Sequence, residues 1–191
     1  MVIKFLSPAA FTGLMLTAVL GVVPGAAQAS GQQVGLEADS SFIQTAGSLG
    51  LLQAKLGMLA EKKATSPAVR DFAKRMVDEY TKANEELAAG AKQAAYPAPV
   101  ILRQHKQVLD RFLRMGGGSF DKNYMAEMVK QQNQAAQLFK QEAESGRVVS
   151  LKQLASRMLP TVQQHLVLAS QTAGSVGADV TATTSRGRTG S

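Results

Sequence analysis

Four stretches of this sequence carry apolar side chains at the alternating three- and four-residue spacing that gathers them on one face of an α-helix. The first runs from about Asp39 to Ala64 on Phe42, Ala46, Leu49, Leu52, Leu56 and Leu59. The second runs from Ser66 to about Ala95 on Val69, Phe72, Ala73, Met76, Val77, Ala83 and Leu87. The third starts at Ser119 and uses Phe120, Tyr124, Met125, Met128, Val129, Ala135, Leu138 and Phe139. The fourth starts at Ser150 and uses Leu151, Leu154, Ala155, Met158, Val162, Leu166, Leu168 and Ala169. Strand signals are scarce and cysteine is absent, so these stripes must be buried against one another without a disulfide. The fold class is therefore all-α.

The connections set the packing order. Only Thr65-Ser66 separates the first two stripes, and Ser66-Pro67 reads as an N-cap followed by proline at the first helical position. "SGRVV" (145–149) separates the last two. Each pair is predicted to fold back as an antiparallel hairpin. Between the pairs lies "YPAPVILRQHKQVLDRFLRMGGG" (96–118), long enough to cross from one end of a bundle to the other. Within it Ile101, Leu102, Val108, Leu109 and Phe112 mark a short helix. Two hairpins joined by one long crossover is the connectivity of a ferritin-like four-helix bundle. Pro160 falls inside the fourth stripe and is expected to kink that helix or reset its start. "SPAVRDFAKRM" and "SLKQLASRM" resemble each other, a weak sign of an internal helix-pair repeat.

The N-terminus has Lys4, an apolar stretch from Phe5 to Val23, and then "PGAAQAS". This is the pattern of an export signal cut between Ala29 and Ser30. A membrane anchor is the competing reading, because the apolar stretch is nearly long enough to span a bilayer. Pro24, Gly25 and the Ala-Gln-Ala triplet favour cleavage, which would leave no transmembrane segment. The expected organisation is a signal peptide (1–29), a polar Gly-rich linker (30–38), the bundle (39–173) and a disordered Gly/Ser/Thr-rich tail (174–191). The expected location is the periplasm or cell envelope of a bacterium. The net charge of +7 is scattered, and tryptophan is absent, so a stacking platform for nucleic acid is poorly supplied. An envelope protein or an anionic surface is the partner class left, with Arg186 and Arg188 of the tail as candidate contacts.

Each stripe is interrupted once by a hydrogen-bonding side chain. Gln53 falls between Leu49 and Leu56, and Tyr80 between Met76 and Ala83. Gln132 falls between Met128 and Ala135, and His165 between Val162 and Ala169. The first three fall near their helix midpoints and His165 a turn beyond, and in an antiparallel bundle midpoint residues meet at one level, where bundles build metal or cofactor sites. The donors are poor for that purpose. Amides are weak ligands, the Glu-x-x-His pair of a di-iron centre is missing, and His165 is the only plausible metal ligand. A layer in which the four side chains satisfy one another is the bland alternative, since buried polar groups seldom lack partners. No metal or other cofactor is expected.

The chain resembles a known family through "LGMLAEKKATSPAVRDFAKRMVDEYTKANEEL", "FDKNYMAEMVKQQ…LFKQEA" and "LPTVQQHLVLA". These look like the exported bacterial ferritin-like proteins catalogued as domain of unknown function 4142, some of them labelled outer membrane proteins. The resemblance implies an all-α ferritin-like bundle in the cell envelope, and no established activity. The family's usual pattern has Glu on the first helix, Asp-His on the second and third, and His on the fourth. Here those positions hold Gln53, then Glu79-Tyr80, then Gln131-Gln132, and His165. The resemblance therefore implies a degenerate member, with Glu79 and Gln131 as supporting candidates beside the layer.

Other chemistry is thin. His105 has no partner at ligand spacing and reads as a surface or packing histidine. Met58, Met76, Met128 and Met158 read as core filling. "MGGGSF" follows no strand and lacks a phosphate-loop lysine, and no Ser-His-Asp arrangement is visible. The expected function is a non-enzymatic scaffold, binding or stress-related envelope protein. The alternative is a metal- or small-ligand-binding protein of storage or oxidoreductase character.

Overall fold

The computed structural model describes residues 26–180, with side chains from Glu37 onward. It is all-helical: α1 (Ala26–Lys63), α2 (Pro67–Gln93), α3 (Arg103–Arg114), α4 (Phe120–Ser145) and α5 (Val149–Ser175). Among these residues no helix is long and apolar enough to cross a membrane. Most of the expected signal peptide, and Arg186 and Arg188, lie outside the described residues.

Neighbouring positions fix the helix directions. Gly57 lies against Ala73 and Val77, Gly50 against Asn84, and Gly47 against Leu87, so α1 and α2 are antiparallel. These glycines permit the approach: a Cβ on Gly57 would sit 2.9 Å from the Ala73 carbonyl oxygen. α1 also runs antiparallel to α4, with Phe42 on Phe139 at one end and Thr65 bonded to Asp121 at the other. α2 runs antiparallel to α5, with Gly90 near Leu151 and Leu154 and Glu79 bonded to His165. The directions make α2 and α4 parallel, so residues 94–119 must carry the chain back along the molecule's length.

α3 lies on that return path and is clamped to α1 and α4. Lys63 Nζ donates to the carbonyls of Leu113 and Met115 at 2.7 Å, capping the C-terminal end of α3. Arg111 pairs with the buried Glu127 at 2.7 Å. Ser48 Oγ accepts from the Leu102 amide at 2.7 Å and donates to His105 Nδ1. His105 is thus a buried packing residue, its imidazole pushed down by burial despite the pull of Glu127.

Several expectations need correction. Residues 30–38 continue α1 rather than form a linker; Gln32, Gln33 and Leu36 favour helix, and isolated glycines cost only about 1 kcal/mol each. The tail does not begin at residue 174. α5 ends in a Schellman motif, with Ala178 N–H bonded to the Ala173 carbonyl and Gly177 at φ +62. Val176, Ala178 and Val180 then pack against the core. Ser66 is the N-cap residue of α2, yet its side chain makes no capping bond. α5 begins at Val149 and continues past Pro160, so the proline does not reset its start. Met58 is 49 % exposed and fills no core, whereas Met76 and Met128 are buried.

The apolar interior is two clusters rather than one. One gathers Leu52, Leu56, Met76, Met125, Met128 and Ala169 near the α1–α2 turn. The other gathers Phe42, Leu87, Ala135, Phe139, Leu154 and Val162 near the α4–α5 turn. On α4 and α5 the boundary between the clusters falls at the residue that interrupts the stripe, Gln132 and His165, whereas on α1 and α2 Gln53 and Tyr80 lie just inside the first cluster.

Candidate functional site: a polar layer between two cores

Gln53, Tyr80, Gln132 and His165 are all buried. Three of them close a ring. Gln53 Nε2 donates to the Tyr80 hydroxyl at 3.1 Å, and the hydroxyl donates to Gln132 Oε1 at 2.9 Å. Gln132 Nε2 donates back to Gln53 Oε1 at 2.8 Å. Each residue donates once and accepts once within the ring, so the bonds polarise one another in the same sense. The spare hydrogen of Gln132 Nε2 faces Met76 Sδ at 3.5 Å. Burial pushes the Tyr80 phenol far up, and this outweighs the hydrogen bonds from Gln132 and Gln53. It remains a neutral donor.

His165 stands beside the ring and not in it. Its imidazole lies tilted against Tyr80, with centroids 5.4 Å apart. Its Nε2–H donates to Glu79 Oε2, and Glu79 also accepts from Arg75 Nε at 2.6 Å. Burial would raise Glu79, but the hydrogen bonds and charges of His165 and Arg75 hold its carboxyl below the usual range. Burial holds His165 below its usual value against the pull of Glu79, so the imidazole is neutral near pH 7. With the proton on Nε2, the lone pair of Nδ1 is buried and has no partner.

Gln131 belongs elsewhere. It is buried, and its Nε2 bonds to Glu127 Oε1 at 3.0 Å, one turn back on α4. It supports the Arg111–Glu127 clamp on α3 and makes no bond to the layer.

A di-metal centre needs several carboxylates and imidazoles converging on one point. This layer offers two amides, a neutral phenol, and an imidazole whose carboxylate is already engaged by arginine. The donors do not fit. Among the described residues no group of three His, Cys, Asp or Glu is placed to hold a metal ion.

Two aspartates escaped the stripe pattern. Asp39 accepts from the amides of Arg147 (3.0 Å) and Val148 (2.8 Å), and Asp121 accepts from the amides of Thr65 (3.1 Å) and Ser66 (2.7 Å). Each hairpin turn is therefore capped by an aspartate of the other hairpin, from within α1 for Asp39 and from the first turn of α4 for Asp121. Asp39 and Asp121 are separated by the same interval as Thr65 and Arg147, so the two caps are related by one repeat. The sequence signal is an aspartate three residues before an aromatic, Asp39–Phe42 and Asp121–Tyr124.

Fold and site together define a class: an all-helical domain whose two apolar cores are joined through one hydrogen-bonded layer. The chain belongs to the family described as Domain of unknown function (DUF4142), whose model matches residues 24–172. No curated protein and no solved structure matches it.

Proposed function

We propose that this chain is an exported bacterial envelope protein, a ferritin-like four-helix bundle serving a scaffold, binding or stress-related role without catalysis. The closed Gln53–Tyr80–Gln132 ring carries the reading. Two amides and a neutral phenol already bonded to one another are weak ligands for a metal at the level where such bundles bind one. The parallel course of α2 and α4, with a long return between them, supports the ferritin-like connectivity. Small residues at Ala27 and Ala29 after an apolar stretch support export. Intact-mass analysis of protein isolated from the envelope fraction should find a chain beginning at Ser30. A full-length chain confined to the cytoplasm would refute export.

One observation favours the second reading, a bundle that binds a metal or small ligand. The buried, unpartnered Nδ1 of His165 is a free acceptor beside the ring. One imidazole holds a first-row metal weakly, so this reading requires further donors from the ligand itself. Titrating the full chain with zinc, manganese or iron(II) should give no stoichiometric binding heat; one equivalent of heat would favour the second reading.

A further inference from the structure

The α4–α5 turn is held by a carboxylate that is not alone. Glu142, 4 % exposed in the last turns of α4, lies against Asp39, and its Oε1 has no hydrogen-bond partner. The space is tight: a Cβ on Gly146 would fall 2.5 Å from that oxygen. Burial first, then the charge and hydrogen bonding of Asp39, push the Glu142 carboxyl up to about 7, with Lys152 of α5 pulling the other way. The remaining titratable neighbour is the Tyr96 phenol of the crossover, itself raised by burial and by both carboxylates. A cleft of about 140 Å³ lined by Ser41, Leu138, Gln141, Ser145 and Glu142 opens at this end.

The other hairpin supplies an internal control. Asp121 caps the α1–α2 turn in the same way, but the repeat-related partner of Glu142 is Ala60, apolar and fully buried. One turn is capped by a carboxylate pair and the other by a single carboxylate.

We propose that Asp39 and Glu142 form a proton-dependent latch, closed on the Arg147 and Val148 amides while the pair holds one proton and loosened when that proton leaves. Both Asp39 oxygens are committed to backbone donors, so the proton resides on Glu142 and bridges toward Asp39. Its loss puts two negative charges in one enclosed site, offset in part by Lys152. The folded value lies above the ordinary 4.5, so the closed turn retains a proton that the open turn gives up. The latch's contribution is complete below about pH 4.5 and is lost as pH rises through about 7.

Amide hydrogen exchange on the full chain tests this. After correction for intrinsic base catalysis, protection at Arg147 and Val148 should fall about tenfold between about pH 6 and about pH 8, the effect of one proton over one pH unit. Thr65 and Ser66 should keep their protection over that range. In Glu142→Gln, whose amide can still donate to Asp39, the fall should disappear. A fall that persists in E142Q, or an equal fall at Thr65 and Ser66, overturns the latch. The wild-type Glu142 carboxyl carbon, followed by NMR, reports independently of any variant. A midpoint near 7 is expected, and one in the ordinary range of about 4 overturns the proposal.

Discussion

Two buried tyrosines show what hydrogen bonding decides at single positions. Tyr80 donates and accepts within the ring, whereas the Tyr124 hydroxyl is buried with no partner, its ring stacked on Phe120 and edge-on to Phe72. Removing the Tyr80 hydroxyl leaves Gln53 Nε2 and Gln132 Oε1 unmatched, so Tyr80→Phe should lower unfolding stability by about 1–3 kcal/mol in a urea titration. Tyr124→Phe deletes a desolvated group and no bond, and should leave stability unchanged or raise it. Equal losses for both would mean that the ring contributes nothing beyond packing. The inward positions of Gln53, Tyr80, Gln132 and His165 were legible because helical periodicity fixes facing. Ring closure was not, because it depends on the relative heights of three helices. Nor was the burial of Gln131 and Glu127, whose carboxylate is held by Arg111 of α3, a contact that no single-helix pattern shows.

At the scale of elements, the helix ends were the least legible part. α2 ends in a Schellman motif, with Tyr96 N–H bonded to the Ala91 carbonyl at 2.8 Å and Ala95 N–H to the Lys92 carbonyl at 3.1 Å. The left-handed residue is Ala95, at φ +59, where glycine is the usual occupant. An alanine gives no stop signal in sequence. "GSVGA" at the end of α5 gave one, and it was absorbed into an expected tail because its composition is that of disorder. Holding Ala95 left-handed costs about 1–2 kcal/mol. Ala95→Gly should therefore raise the thermal midpoint, by an amount reduced by glycine's greater unfolded-state freedom. A fall in the midpoint would show that Ala95 makes packing contacts worth more than the strain. The caps by Asp39 and Asp121 were invisible for a different reason: each serves a turn in the opposite hairpin, beyond the reach of local patterns.

Taken whole, the molecule is two apolar cores keyed together by one polar layer and closed at both ends by reciprocal carboxylate caps. All-helical class and four helical stripes could be read directly, since binary patterning sets secondary structure wherever one face is buried. The layer also gives the helices a vertical register: sliding one past another would separate the ring's donors from its acceptors and bury them unpaired. The same closure makes the layer a poor metal site. The metal content of the full chain, produced in metal-replete medium and isolated without chelator, tests this most directly. Elemental analysis should find iron, manganese and zinc all well below one equivalent per chain. A full equivalent of any of them, lost on His165→Ala, would contradict the account.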